Sequence, residues 1–208
     1  MRFSEKSFEI RFCASLSAAL MPFNRNPQWF GLTQAQERKA GIDAMLRRGG
    51  RLIVFQFKAC RRVSGYPTYL LEKEQWDVLS NVARHHPNST FYVFPEAQDI
   101  RTANSYPCLI EKSWWTNCQD LAPFFPTNSP NTRTLTLDSS NKRLYLNGSS
   151  NPAHVIKPNS GCALFGCFCQ RTQFIIHRHT MSDETIAFLL LRSDPVDPTL
   201  LPVSSPFS

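Results

Sequence analysis

Gly41–Lys58 reads GIDAMLRRGGRLIVFQFK, and its two halves predict a β-hairpin. Ile42–Leu46 is short and apolar apart from Asp43, and Arg47–Arg51 carries the Gly49-Gly50 pair that lets a chain reverse. Arg51–Ala59 then alternates with period two. Ile53, Phe55 and Phe57 fall on one face of that strand, and Leu52, Val54, Gln56 and Lys58 on the other. Gln56 and Lys58 therefore emerge side by side, roughly 7 Å apart for two residues of strand rise. Asp43 reaches the same end from the neighbouring strand.

An Asp carboxylate and a Gln carbonyl are oxygen donors of the kind a hard divalent cation takes, with positions left for water and phosphate. A lysine beside them can orient a hydrolytic water, lower its pKa, or steady negative charge growing on a phosphorane-like transition state.

Asp43, twelve intervening residues and then Gln56-Phe57-Lys58 resembles the D…(D/E/Q)xK signature of the PD-(D/E)XK nuclease superfamily. The Gln form is that of Mrr-type restriction endonucleases, and archaeal Holliday-junction resolvases share the core. The resemblance covers residues 1–97 and implies an α/β protein with an αβββαβ restriction-endonuclease-like core. It implies Mg²⁺- or Mn²⁺-dependent hydrolysis of phosphodiester bonds in double-stranded DNA, in restriction, repair or defence, and it allows a homodimer. The implied metal ligands are Glu9, Asp43 and Gln56, with Lys58 completing the catalytic set. Glu5, one helical turn before Glu9, is the less favoured alternative, and Glu37 is a substitute ligand or a surface acid. Where the commonest pattern has an acid, this chain has Gln56, so one negative charge fewer holds the cation. That departure carries the rival reading, a catalytically inactive nucleic-acid-binding or assembly subunit with the same fold. In a third reading, a metal-free structural protein, Asp43 is a hairpin residue and Lys58 a strand-end charge.

The remaining chain is read around this stretch. Ser4–Leu20 predicts an amphipathic helix, capped by Ser4, with Phe8, Phe12, Leu16 and Ala19 as its buried stripe and Glu9 beside it. Gln28–Thr33 is a short first strand and Gln34–Lys39 a polar helical turn. Cys60–Tyr66 reads as a basic loop whose Arg61 and Arg62 are placed to meet phosphates. Glu72–Arg84 predicts a second helix with Leu71, Gln75, Val78, Leu79 and Val82 at helical spacing. In that register Gln75 faces the sheet, leaning into the site or bonding to backbone. Thr90–Phe94 is a β-branched and aromatic strand closed by Pro95.

After Pro95 the text changes, and residues 98–193 predict an irregular, β-rich and loop-rich extension packed on the core. It contains a hairpin from Arg133–Asp138 to Arg143–Leu146, and Trp114 and Trp115 as packing or base-stacking rings. Cys162, Cys167, Cys169, His177 and His179 lack the paired knuckle spacing of structural zinc sites, and zinc is left open against buried thiols and surface histidines. Residues 194–208, with four prolines, predict a disordered tail.

Composition bounds these readings. The 208 residues suffice for one full-sized core with an appended subdomain. Twenty-three basic against 16 acidic residues leave a net charge of +7, which suits a phosphate-rich partner. Seven scattered cysteines form no disulfide framework and point to a reducing compartment, the cytoplasm. No run has the roughly 18 to 20 apolar residues of a membrane span. Glu5 and Glu9 precede the apolar Phe12–Phe23, where a secretory signal would be basic.

Overall fold

A computed structural model describes residues 3–20, 28–48, 51–63, 66–85, 89–106, 108–147 and 155–160. Cys162, Cys167, Cys169, His177, His179 and the tail at 194–208 lie outside the described residues.

The first helix, α1 (Glu5–Leu20), starts where Ser4 Oγ accepts the Ser7 N–H at 3.1 Å. Phe3, just before the cap, packs edge-on against Phe8, ring centroids 6.0 Å apart, as a hydrophobic staple that sets the entry angle of the chain. The strand β1 (Gln28–Gly31) and the helix α2 (Gln34–Ala40) follow. A capping box on Thr33 and Gln36 opens α2, and Gly41 closes it at φ +62°. A Cβ at Gly41 would also lie 3.2 Å from both Cγ and the carbonyl oxygen of Gln75, so glycine is required twice over.

The hairpin forms as β2 (Ala44–Arg48) and β3 (Arg51–Phe57), in a register that sets Ala44 opposite Phe55 and Arg48 opposite Arg51. Next come β4 (Arg61–Val63), β5 (Tyr66–Glu72), the helix α3 (Lys73–His85) and β6 (Thr90–Pro95). The chain continues through α4 (Ile100–Ser105), β7 (Ser113–Asn117), a 3-10 helix over Cys118–Phe124, and β8 (Thr132–Asp138). It ends in β9 (Arg143–Leu146), β10 (Val155–Ile156) and β11 (Asn159–Ser160).

The protein is thus mixed α/β, with two sheets. Six strands run in the order β1-β2-β3-β6-β7-β11, and the pair β3/β6 is parallel while its neighbours are antiparallel. The crossover joining β3 to β6 includes α3, as a parallel pair demands. Five antiparallel strands form the second sheet, β10-β9-β8-β5-β4.

The period-two pattern of β3 divides the interior into two cores. Ile53, Phe55 and Phe57 meet Phe8, Phe12 and Leu16 of α1, with Phe57 centred 5.4 and 5.3 Å from Phe8 and Phe12. Leu52 and Val54 face the opposite core, built from Leu79 and Ala83 of α3, Tyr92 and Phe94 of β6, and Tyr69, Leu71, Leu135 and Leu137 of the second sheet. Each fully buried phenylalanine in these layers contributes about 1.5–3 kcal/mol of transfer free energy.

Two segments differ from the sequence reading. The basic stretch after Lys58 is not a free loop: Arg61–Val63 is β4, paired with β5 as Arg61↔Thr68. Tyr66–Glu72, which the sequence reading divided between the end of the basic loop and the start of the second helix without a strand, is β5 and pairs with β8 through Leu71↔Arg133. Position 97 is bridged by backbone pairing, since β6 and β7 are neighbours as Val93↔Trp115. The expected hairpin beyond it is present as β8 and β9. No described helix is long and apolar enough to cross a membrane.

Candidate functional site

Asp43, Gln56 and Lys58 meet at the carboxyl ends of the parallel pair β3/β6, the end of an open α/β sheet at which ligands bind. Asp43 immediately precedes β2, whose antiparallel pairing brings it opposite the last residues of β3. Its own N–H donates to the Phe55 carbonyl at 3.1 Å. Its Oδ2 accepts from the Phe57 N–H and from Gln56 Nε2, both at 2.6 Å. The Lys58 N–H donates to the Val93 carbonyl at 3.0 Å, which extends the parallel ladder past the end of β3 and holds the lysine in place.

Gln56 is fully buried and Lys58 is only 6% exposed. A buried ammonium requires anions, and two are at hand. Glu5 Oε1 lies 3.9 Å from Lys58 Nζ, while Glu5 Oε2 accepts the Ala59 N–H at 3.0 Å. The second anion is Asp43. Burial pushes the Asp43 carboxyl from its ordinary 3.8 up to about 7, the Glu5 charge adds to the rise, and Lys58 and the two hydrogen bonds oppose it.

Of the first-helix acids, Glu5 reaches the Lys58 end of β3. Glu9 instead pairs with Lys6 Nζ at 2.8 Å, and the same ammonium holds Glu37 Oε1 at 3.1 Å. Burial raises the pKa of Glu9, and its bond to Lys6 opposes that. Gln75 of α3 packs against Gly41, two residues before Asp43, and its Oε1 is buried without a hydrogen-bond partner. Arg61 is exposed, three residues beyond Lys58, and Arg62 follows on the same strand.

Sequence reasoning did not single out Lys6 or Tyr92. The charge order Glu5-Lys6-Glu9, with i,i+3 spacing from Lys6 to Glu9, was the available signal for the first. Tyr92 carries no local signal, because a tyrosine in an apolar strand reads as packing.

A hard cation can be tested against these residues. Gln56 Oε1 is buried and has no hydrogen-bond partner, while Nε2 is the atom turned to Asp43, so the amide must turn over for Oε1 to share a cation with that carboxylate. Asp43 loses favourable charge through burial and the proximity of Glu5, a cost that a cation would relieve. Among the described residues no group of three or more His, Cys, Asp or Glu side chains is arranged to hold a metal. The oxygen donors of Asp43 and Gln56, with Glu5 or Glu9 as a further carboxylate, are of the type a hard ion takes.

No protein-family model matches this chain, and no curated protein sequence matches it significantly. The functional reading therefore stands on the site itself.

Proposed function

We propose that this chain hydrolyses phosphodiester bonds of DNA with a divalent cation, Mg²⁺ or Mn²⁺, on a restriction-endonuclease-like core. The observation that carries the reading is the meeting of Asp43, Gln56 and Lys58 at the carboxyl end of a parallel strand pair. The order of elements supports it. Leaving out α2, β4 and β5, the chain runs α1, three strands joined antiparallel (β1, β2, β3), α3, then β6 parallel to β3. That is the αβββαβ order of the superfamily the motif resembles.

The roles follow from chemistry. Asp43, the Gln56 carbonyl and Glu5 or Glu9 hold the ion, which when bound supplies Lewis acidity at the phosphate. Lys58, paired with the Ala59-bound Glu5 and within charge range of Asp43, places an ammonium where negative charge grows during in-line attack by water. Arg61 meets a flanking phosphate of double-stranded DNA. A role in restriction, repair or defence is an analogy with the resembling enzymes.

A second reading has observations in its favour. Gln56 turns its amide nitrogen toward Asp43, and Lys6 bridges Glu9 and Glu37, so both of those acids are already engaged within the protein. A catalytically inactive nucleic-acid-binding or assembly subunit would keep such an arrangement.

Plasmid nicking with Mg²⁺, Mn²⁺ and EDTA separates the two. Under the nuclease reading cleavage requires the ion, and Gln56→Leu abolishes it without weakening duplex binding. Gln56→Glu adds a carboxylate at the same reach and tightens metal binding about tenfold, equivalent to about 1.4 kcal/mol. Nicking unaffected by Gln56→Leu removes the mechanism. Arg61→Ala should weaken duplex binding alike for all sequences and reduce the slope of log K against log salt by about 0.9, the loss of one phosphate contact. An unchanged slope would place Arg61 away from the DNA.

A further inference from the structure

Two buried polar atoms beside the site have no hydrogen-bond partner: Gln56 Oε1 and the Tyr92 hydroxyl. Both residues are 0% exposed. They are Cα partners on the adjacent parallel strands β3 and β6. Neighbours in such a register stand about 4.8 Å apart and project to the same side. The side is that of Val54, Tyr92 and Phe94, facing α3. One atom is an acceptor and the other a donor as well as an acceptor, so they are complementary. Leaving each unpaired carries its full desolvation penalty, which is why buried phenols and amides in folded proteins have partners.

We propose that Tyr92 is a positioning residue for Gln56, its hydroxyl linked to the Gln56 amide through one bound water. With Oε1 held by the phenol through that water, Nε2 is directed at Asp43 Oδ2, the 2.6 Å contact seen here. The phenol also accepts a hydrogen bond, so through the same water it can hold Nε2 when the amide turns to offer Oε1 to a cation. The hydroxyl keeps its proton throughout, because burial, reinforced by the charges of Asp43 and Glu5, raises its pKa well above 10. Tyr92 thereby supports Gln56 in either orientation. The contact itself stands without the nuclease reading, and only its consequence for a bound ion rests on it.

The test begins without metal, on ¹⁵N-labelled protein. Gln56→Leu identifies the Gln56 side-chain amide resonances by their disappearance. In Tyr92→Phe those resonances should shift and exchange with solvent about tenfold faster, while other Asn and Gln side chains stay unchanged. A Gln56 amide indifferent to Tyr92→Phe overturns the proposal. So does additivity of Tyr92→Phe and Gln56→Leu in a double-mutant cycle of urea unfolding, since paired groups couple. Should Tyr92→Phe not fold, exchange of the Tyr92 hydroxyl proton in Gln56→Leu reads the same contact from the other side, and unchanged exchange refutes it. Calorimetric titration with Mn²⁺ then reports the consequence, a Kd about fivefold weaker in Tyr92→Phe. A responsive amide with no Mn²⁺ binding in either protein would sustain the positioning role and sink the cation reading.

Discussion

Asp43→Asn should raise thermal stability at pH 8 and abolish metal-dependent cleavage in the same protein. The sign follows from linkage. Asp43 has a folded-state pKa near 7 against an ordinary 3.8, so the folded protein binds the proton more tightly than the unfolded chain. Its contribution to stability is greatest below pH 3.8 and is lost as pH rises from there toward 7. Above 7 the charged carboxylate destabilises the fold by up to about 4 kcal/mol at 1.36 kcal/mol per pH unit. Asparagine carries no charge to desolvate and escapes repulsion by Glu5. Because both bonds to the side chain end on Oδ2, a single amide oxygen can accept from Phe57 N–H and Gln56 Nε2. Melting curves at pH 4 and pH 8 check this: the variant's advantage should be large at pH 8 and should shrink as pH falls toward 4. A variant less stable at both values would mark the Asp43 charge as a structural asset. Cleavage persisting in Asp43→Asn would remove Asp43 from the ion.

Lys58→Met should lower turnover by about 10²–10³-fold, the cost typical of losing one preorganised group that stabilises transition-state charge. Methionine preserves most of the buried stem, so the fold should survive and duplex binding should be retained. Stability should nonetheless fall at pH 8 relative to pH 5. Lys58 is the charged group that opposes the rise in Asp43, and without it the carboxyl climbs above about 7 and costs more when ionised. A variant that nicks DNA at the parent rate would make Lys58 a structural counter-ion for Glu5 and Asp43 and nothing more.

The legibility of this chain follows the range of each signal. The β2/β3 hairpin, β6 and the β8/β9 hairpin were readable because each is a local pattern: alternation within a few residues, with turn-forming residues between strands. The same alternation in β3 assigned Phe55 and Phe57 to one core and Val54 to the other. By contrast β5 was hidden. Its stretch YPTYLLE contains Pro67 and the adjacent pair Leu70-Leu71, and it is a strand by virtue of pairing with Thr132–Thr136 of β8, far along the chain. The first-helix acid was read as Glu9, with Glu5 the less favoured alternative, and the limit on that choice is related. Glu5 and Glu9 lie one turn apart on one face, and only the docking of Phe8 and Phe12 onto Phe57 sets how far the helix overhangs the sheet.

By itself the amino-acid order determined that Gln56 and Lys58 share a strand face and that Asp43 stands at the same end of the adjoining strand. Parity and a short turn are properties of the chain alone. Tertiary structure decided the rest. It buried Gln56 and Lys58 and laid Glu5 against Ala59 and Lys58. It drew Lys6 onto both Glu9 and Glu37, and placed Tyr92 beside Gln56. Burial and charge proximity depend on which elements pack together, and a carboxyl held near 7 exists only because a helix, a hairpin and a distant strand enclose it together.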